Sequence, residues 1–195
     1  MVHIGILGEA DCGKTSTFIL FLKALEARGD RILTGQRGGD ERELTVTVDF
    51  IRFTYSGFTH TLYGTGGHRA AITDYYRVFV LRNADQFLCM IDLTKPLQEQ
   101  LDFYTVIGEI PASKVVLTFN KFDLLDTIDI ENDYIMPAVD WFEKRLKRMV
   151  HSKFVTVAVE REGFVTHNQN AVDAILNLCE WSPEKPFDIW TSQQG

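Results

Sequence analysis

The sequence predicts an α/β domain with a doubly wound sheet of about six strands, mostly parallel with one antiparallel edge strand, and helices on both faces. Three observations carry this. Apolar runs of strand length alternate with longer stretches of helical periodicity along the chain. The first run, Val2 to Leu7, enters a glycine-rich loop that opens directly into a helical pattern. A single hairpin signal, Ser56-Gly57, interrupts an otherwise regular alternation.

The elements follow in order. Val2 to Leu7 reads as a buried strand, and Thr15 to Arg28 as a helix that stops at Gly29, a C-terminal cap. Thr34 to Glu43 is polar and glycine-rich and reads as a mobile loop. Thr45 to Tyr55 and Phe58 to Tyr63 form the hairpin that should supply the antiparallel edge. Ala70 to Arg82 reads as a helix, Gln86 to Ile91 as a strand, Pro96 to Ile110 as a helix, and Lys114 to Phe119 as a strand. Asn132 to Met149 is a long amphipathic helix, Phe154 to Val159 the last strand, and Asn170 to Trp181 the last helix. Pro183 and Pro186 then break the pattern. One domain of 195 residues is expected, with a core of about residues 2–181 and a tail at 182–195.

The formal charge of −7 argues against general binding to nucleic acid or anionic lipid. Cys12, Cys89 and Cys179 show neither paired nor zinc-like spacing and read as reduced thiols of a cytoplasmic protein. The sequence has no signal-peptide pattern, no apolar run of membrane-spanning length, no glycine at position 2 and no cysteine in TSQQG. No direct membrane anchor is expected, and a monomer is the simplest state.

Gly8 to Thr15, GEADCGKT, matches G-x-x-x-x-G-K-[ST] in full between a strand and a helix. Backbone N–H groups of Gly8, Asp11, Cys12, Gly13, Lys14, Thr15 and Ser16 are placed to wrap phosphate oxygens, and the helix start adds partial positive charge. Lys14 should reach the β- and γ-phosphates, and the Thr15 hydroxyl should ligate Mg²⁺. The methyl group of Ala10 crowds the loop where it passes the γ-phosphate. Cys12, near a helix start, is either a favoured thiolate or simply a small residue that fits the loop.

Asn120 to Asp123, NKFD, follows a buried strand. The Asp123 carboxylate can accept from guanine N1–H and its exocyclic amine, whereas adenine presents an acceptor at N1. Asn120 would brace the loop, and the stem of Lys121 would cover the ring.

With GEADCGKT, TVTVDF and NKFD in this order, the chain resembles the Ras-superfamily GTPases over about residues 2–181. It is most similar to prokaryotic Ras-like members, archaeal ones included, in which an LY-x-T-x-G form replaces the usual W-D-x-x-G. The resemblance implies the P-loop GTPase fold, GTP and GDP as ligands, Mg²⁺, and an effector or regulatory protein bound through the switch loops. It makes Thr45 the switch threonine that contacts Mg²⁺ and the γ-phosphate, and Gly67 the glycine whose N–H meets the γ-phosphate. Ala158 and Val159 fall at a degenerate Ser-Ala that backs the guanine.

The departure is Leu62 to His68, LYGTGGH, where Gly64 stands in place of the D-x-x-G aspartate. Magnesium retains waters readily, so weakened affinity is expected, not loss. His68 occupies the position of the family's water-orienting glutamine, where translational GTPases also use histidine. Arg42 precedes Thr45 with the R-x-x-T spacing of an arginine finger supplied in cis, with Arg37 as its competitor. Two readings stay open: a GTPase switch of low intrinsic rate, and a non-hydrolysing, nucleotide-gated binding module that recruits a partner. A P-loop kinase or ATPase is a third, against which NKFD argues. The aromatics of 50–53 and 75–76 fit either a partner surface or the core.

Overall fold

The computed structural model describes residues 1–36, 49–64, 75–108, 110, 114–126, 129–146 and 150–180. One sheet organises them, in the order β2-β3-β4-β1-β5-β6-β7. Its strands are β1 (Val2–Leu7), β2 (Ile32–Gln36), β3 (Asp49–Tyr55), β4 (Phe58–Gly64), β5 (Gln86–Asp92), β6 (Lys114–Asn120) and β7 (Ser152–Val155). The helices are α1 (Lys14–Arg28), α2 (Tyr75–Asn83), α3 (Leu97–Ile107), α4 (Met136–Leu146) and α5 (Val165–Cys179).

Strands β4, β1, β5, β6 and β7 pair in parallel, and β3 is antiparallel to both β2 and β4. The β3–β4 hairpin turns at Ser56 (φ 50) and Gly57 (φ 81). Two consecutive positive φ angles make the two-residue turn whose twist matches the flanking strands. The expected antiparallel edge is present, and it extends one strand further than the sequence reading. Ile32–Gln36, read partly as loop, pairs with β3 across an irregularity between Ile32 and Thr34. An edge strand held by backbone bonds needs no alternating pattern, and Leu33 is accordingly exposed.

Period-two side chains divide the core between the two faces. Ile4 and Ile6 of β1, Leu88 and Met90 of β5, and Val116 of β6 pack under Phe18, Phe21 and Leu25 of α1 and Ile175 and Leu178 of α5. Phe87, Cys89 and Ile91 of β5, with Val115, Leu117 and Phe119 of β6, face Val80 of α2, Tyr104 of α3 and Phe142 of α4. Within 50–53, Ile51 and Phe53 belong to the core, and Arg52 points outward. The side chains of Tyr75 and Tyr76 lie outside the described residues, as do 70–74 of the expected helix.

Three boundaries move for physical reasons. Helix α5 starts at Val165, because Asn168 and Asn170 turn inward and donate to the carbonyls of Val157, Val159 and Val155. Strand β7 stops at Val155: the Thr156 N–H makes a last bond to the Phe119 carbonyl, and the Thr156 hydroxyl and Ala158 N–H turn to Asn120. Before α4, Glu131–Ile135 forms one wide turn in which the Met136 N–H reaches back to the Glu131 carbonyl. Pro137 follows directly and has no N–H to continue the usual ladder.

One buried charge sits at the opposite end of the sheet from the site. Lys114 begins β6, is 7% exposed, and donates from Nζ to the Asn177 carbonyl at 2.6 Å. Burial pushes its ammonium down from 10.5 to about 8, against the opposing pull of Glu180. Below pH 8 the folded chain carries the desolvated charge; between about 8 and 10.5 the unfolded chain holds the extra proton, so stability rises with pH. Relative to Lys114→Met, the wild type should gain about 3 kcal/mol of unfolding free energy between pH 7 and pH 10.5. Urea unfolding of both proteins across that range measures it, and a flat difference would show that Lys114 is not desolvated.

Candidate nucleotide-binding site

The loop between β1 and α1 is shaped by backbone constraint. Asp11 (φ 62) and Gly13 (φ 101) both take left-handed conformations, and Gly13 caps the N-terminus of α1. A Cβ on Gly13 would lie 2.2 Å from Asn120 Nδ2, and one on Gly8 would lie 2.5 Å from Cys12 Sγ. Both glycines are therefore demanded by close approach, as the spacing of the motif implied.

Lys14 folds back inside this loop. It is 6% exposed and donates from Nζ to the carbonyls of Gly8 at 2.9 Å and Glu9 at 2.7 Å. Thr15 is exposed and Ser16 half-buried on the first turn of α1. Cys12 is fully buried with its sulfur 3.8 Å from Lys14 Nζ. Burial pushes its thiol up despite the neighbouring ammonium, so the small-residue reading of Cys12 stands and the thiolate reading does not.

The base loop is joined to the phosphate loop through one side chain. Asn120, the last residue of β6, is 2% exposed. Its Nδ2 donates to the Cys12 carbonyl at 2.9 Å, and its Oδ1 accepts from Thr156 Oγ1 at 3.1 Å and from the Ala158 N–H at 3.0 Å. Lys121 then takes a left-handed φ of 67, which starts the tight turn Phe122–Leu124 carrying Asp123. Ala158 is 6% and Val159 54% exposed. With Ser16, Ile19, Lys23 and Glu160, these two line a surface cavity of about 250 Å³. Lys14, Ser16, Asn120, Ala158 and Val159 thus converge at the C-terminal ends of β1, β6 and β7, where ligands of open parallel sheets bind.

Several participants carried no motif in the sequence. Asp92, at the end of β5, is fully buried and pairs through Oδ2 with Lys121 Nζ at 2.6 Å. Its Oδ1 accepts from the Thr94 N–H at 2.9 Å and hydroxyl at 2.6 Å. Lys95 donates to the Ala10 carbonyl at 2.7 Å and lies 3.7 Å from a Glu9 carboxylate oxygen. Arg161 pairs with Asp123 at 2.6 Å. The only sequence cue was that DLTK leaves a buried strand beside the glycine-rich loop.

Gly64 ends β4 and is registered against Ile6 of β1, one residue before the chain reaches Leu7 and the phosphate loop. It therefore stands at the C-terminal end of β4, on the strand beside the phosphate loop. Asp92 does not replace the missing aspartate, because both its oxygens are engaged and it is closed to solvent. No group of three or more His, Cys, Asp or Glu able to hold a metal occurs among the described residues. The donor set fits Mg²⁺ held by one hydroxyl, phosphate oxygens and water; a protein-built cage is not what the described residues offer. Arg42, Thr45, Gly67 and His68 lie outside the described residues.

A seven-stranded, mostly parallel sheet with the glycine loop at the end of its central strand defines this as a P-loop nucleotide-binding α/β fold. Among solved structures the chain is similar to the elongation factor SelB of Methanococcus maripaludis in complex with the GTP analogue GppNHp, with a TM-score of 0.64 and 17% identity over 91% of this chain and 33% of that one. A bacterial selenocysteine-specific elongation factor, EF-Sec, matches with a TM-score of 0.62 and 15% identity over 92% of this chain and 28% of that one.

Among curated proteins, mouse selenocysteine-specific elongation factor is 28% identical over 199 aligned positions, 92% of this chain and 32% of that protein. Peptide chain release factor 3 of Buchnera aphidicola is 26% identical over 156 residues, 73% of this chain and 28% of that protein. No family model matches. The chain thus spans about a third of the length of these relatives. They are translation factors, so the general likeness to GTP-binding proteins is supported, and the narrower likeness to Ras-like members is not. No helix among the described residues is long and apolar enough to cross a membrane.

Proposed function

We propose that this chain is a GTPase switch domain that binds GTP and GDP with Mg²⁺ and hydrolyses GTP at a low intrinsic rate. The observation that carries the reading is the Asn120 bridge. One buried side chain holds the phosphate loop at Cys12 and the base loops at Thr156 and Ala158, so both ends of a nucleotide are read by one rigid unit. In this reading Lys14 and the loop N–H groups take the phosphates, and Asp123 reads the guanine edge. Thr15 and Thr45 hold the metal, which neutralises phosphate charge. His68 orients water, and Arg42 supplies the finger. Thr45 and Gly67 couple the γ-phosphate to the segments that carry them, which present a surface to an effector or regulatory protein. The translation-factor relatives support the GTP-binding part of this reading. His68 is the residue shared in type with translational GTPases.

A second reading, the non-hydrolysing binding module, is favoured by Gly64 together with the engagement of Asp92 elsewhere. Single-turnover cleavage of GTP by purified protein in excess Mg²⁺ separates the two. The switch predicts a rate on the order of 10⁻⁴ to 10⁻² s⁻¹, lowered about tenfold or more by Arg42→Ala or His68→Ala. Tight GTP binding with no cleavage means either that a partner must supply the missing group or that this chain only gates binding.

A further inference from the structure

We infer that Arg161 gates the base site by holding the carboxylate that guanine must use, and that it acts as a built-in competitor in nucleotide exchange. The inference rests on the reading of Asp123 as the guanine-recognising group. Arg161 Nη1 lies 2.6 Å from Asp123 Oδ2. With this pair in place the Asp123 side chain is 6% exposed, while that of Arg161 is 49% exposed. A guanidinium offers coplanar N–H donors to a carboxylate, and so does the N1–H and amine edge of guanine. The two compete for the same carboxylate, so each weakens the hold of the other.

The surroundings make the side chain, and not the loop, the part that moves. Asn168 pins the carbonyls of Val157 and Val159, and Glu160 pairs with Lys23 of α1 at 2.6 Å. The Phe164 N–H bonds back to the Arg161 carbonyl at 3.2 Å. Beside the pair, an open groove of about 620 Å³ between α1 and α5 is lined by Arg161 with Glu160 and Glu162. A displaced guanidinium therefore turns into an open groove whose lining includes Glu162, Glu160 being already paired with Lys23. When nucleotide leaves, Arg161 returns, and the Asp123 charge is never left buried and unpaired.

The test compares wild type with Arg161→Gln, using ribose-labelled fluorescent GDP and, as a probe without a base, inorganic pyrophosphate. At low ionic strength Arg161→Gln should bind labelled GDP about fivefold more tightly, through faster association, because a guanidinium half in solvent competes only modestly. The gain should fade at high salt as the pair is screened. Pyrophosphate affinity should not change. If the wild type binds labelled GDP and Arg161→Gln binds it equally or more weakly, the gate is overturned alone. If both probes tighten together, the effect is not on the base and the gate is overturned. A wild type that binds pyrophosphate but takes up no labelled GDP removes the guanine reading, and the gate with it.

Discussion

Lys14→Met is expected to lower affinity for GTP and GDP by about a hundredfold or more, since it removes at least two charge-assisted hydrogen bonds to phosphate. The expectation follows from where the ammonium already sits. Lys14 is buried and directed into its own loop, donating to the carbonyls of Gly8 and Glu9. Its charge is therefore pre-placed among the backbone N–H groups that would surround phosphate, and little rotamer entropy is lost when an anion arrives. Methionine keeps most of the apolar stem and removes only the charge and the donors. The fold should survive, because α1 is anchored by Phe18, Phe21 and Leu25 well below the loop. Titration with labelled GDP measures the loss, and thermal unfolding checks the fold. Affinity within threefold of wild type would mean that backbone groups alone carry phosphate binding.

The phosphate and base loops were legible because their chemistry leaves little freedom. A backbone that must approach an anion needs glycines at fixed spacing, and Gly8 and Gly13 show why, since a Cβ on either meets an atom at 2.5 Å or less. Asn120 was read as a brace, and the bond to the Cys12 carbonyl makes it one. The charge network was not legible. Asp92–Lys121, Lys95–Glu9 and Arg161–Asp123 join residues from different loops, and no period or spacing encodes which ends of a sheet meet. Cys12 shows a related limit. Nearness to a helix start suggested a thiolate, whereas complete burial, invisible in a local motif, reverses the sign. Strand β2 was missed because Gly35 and the polar residues around it read as loop, while an edge strand needs only a neighbour with free backbone groups. The first turn of α5 was missed because its asparagines serve inward carbonyls, so the polar face is not the solvent face.

Asp123→Asn should reverse base preference. A carboxylate presents two acceptors to the N1–H and amine of guanine, whereas an amide presents one acceptor and one donor. The amide NH₂ would face the guanine amine, donor against donor. GDP affinity should fall about a hundredfold or more, because a site built for hydrogen bonds rejects a mismatched edge strongly. Xanthosine diphosphate, with a carbonyl where guanine has its amine, should bind the variant better than GDP does. The same substitution removes the anion that holds Arg161. That relief works in the opposite direction, but a single pair whose guanidinium is half in solvent is worth only about 1 kcal/mol, so the lost hydrogen bonds dominate. The two contributions separate in a double-mutant cycle. Arg161→Gln should tighten GDP binding in the wild-type background and have no effect beside Asp123→Asn. An equal effect in both backgrounds would place the action of Arg161 somewhere other than Asp123. Unchanged base preference in Asp123→Asn would take the guanine-reading role from Asp123 itself.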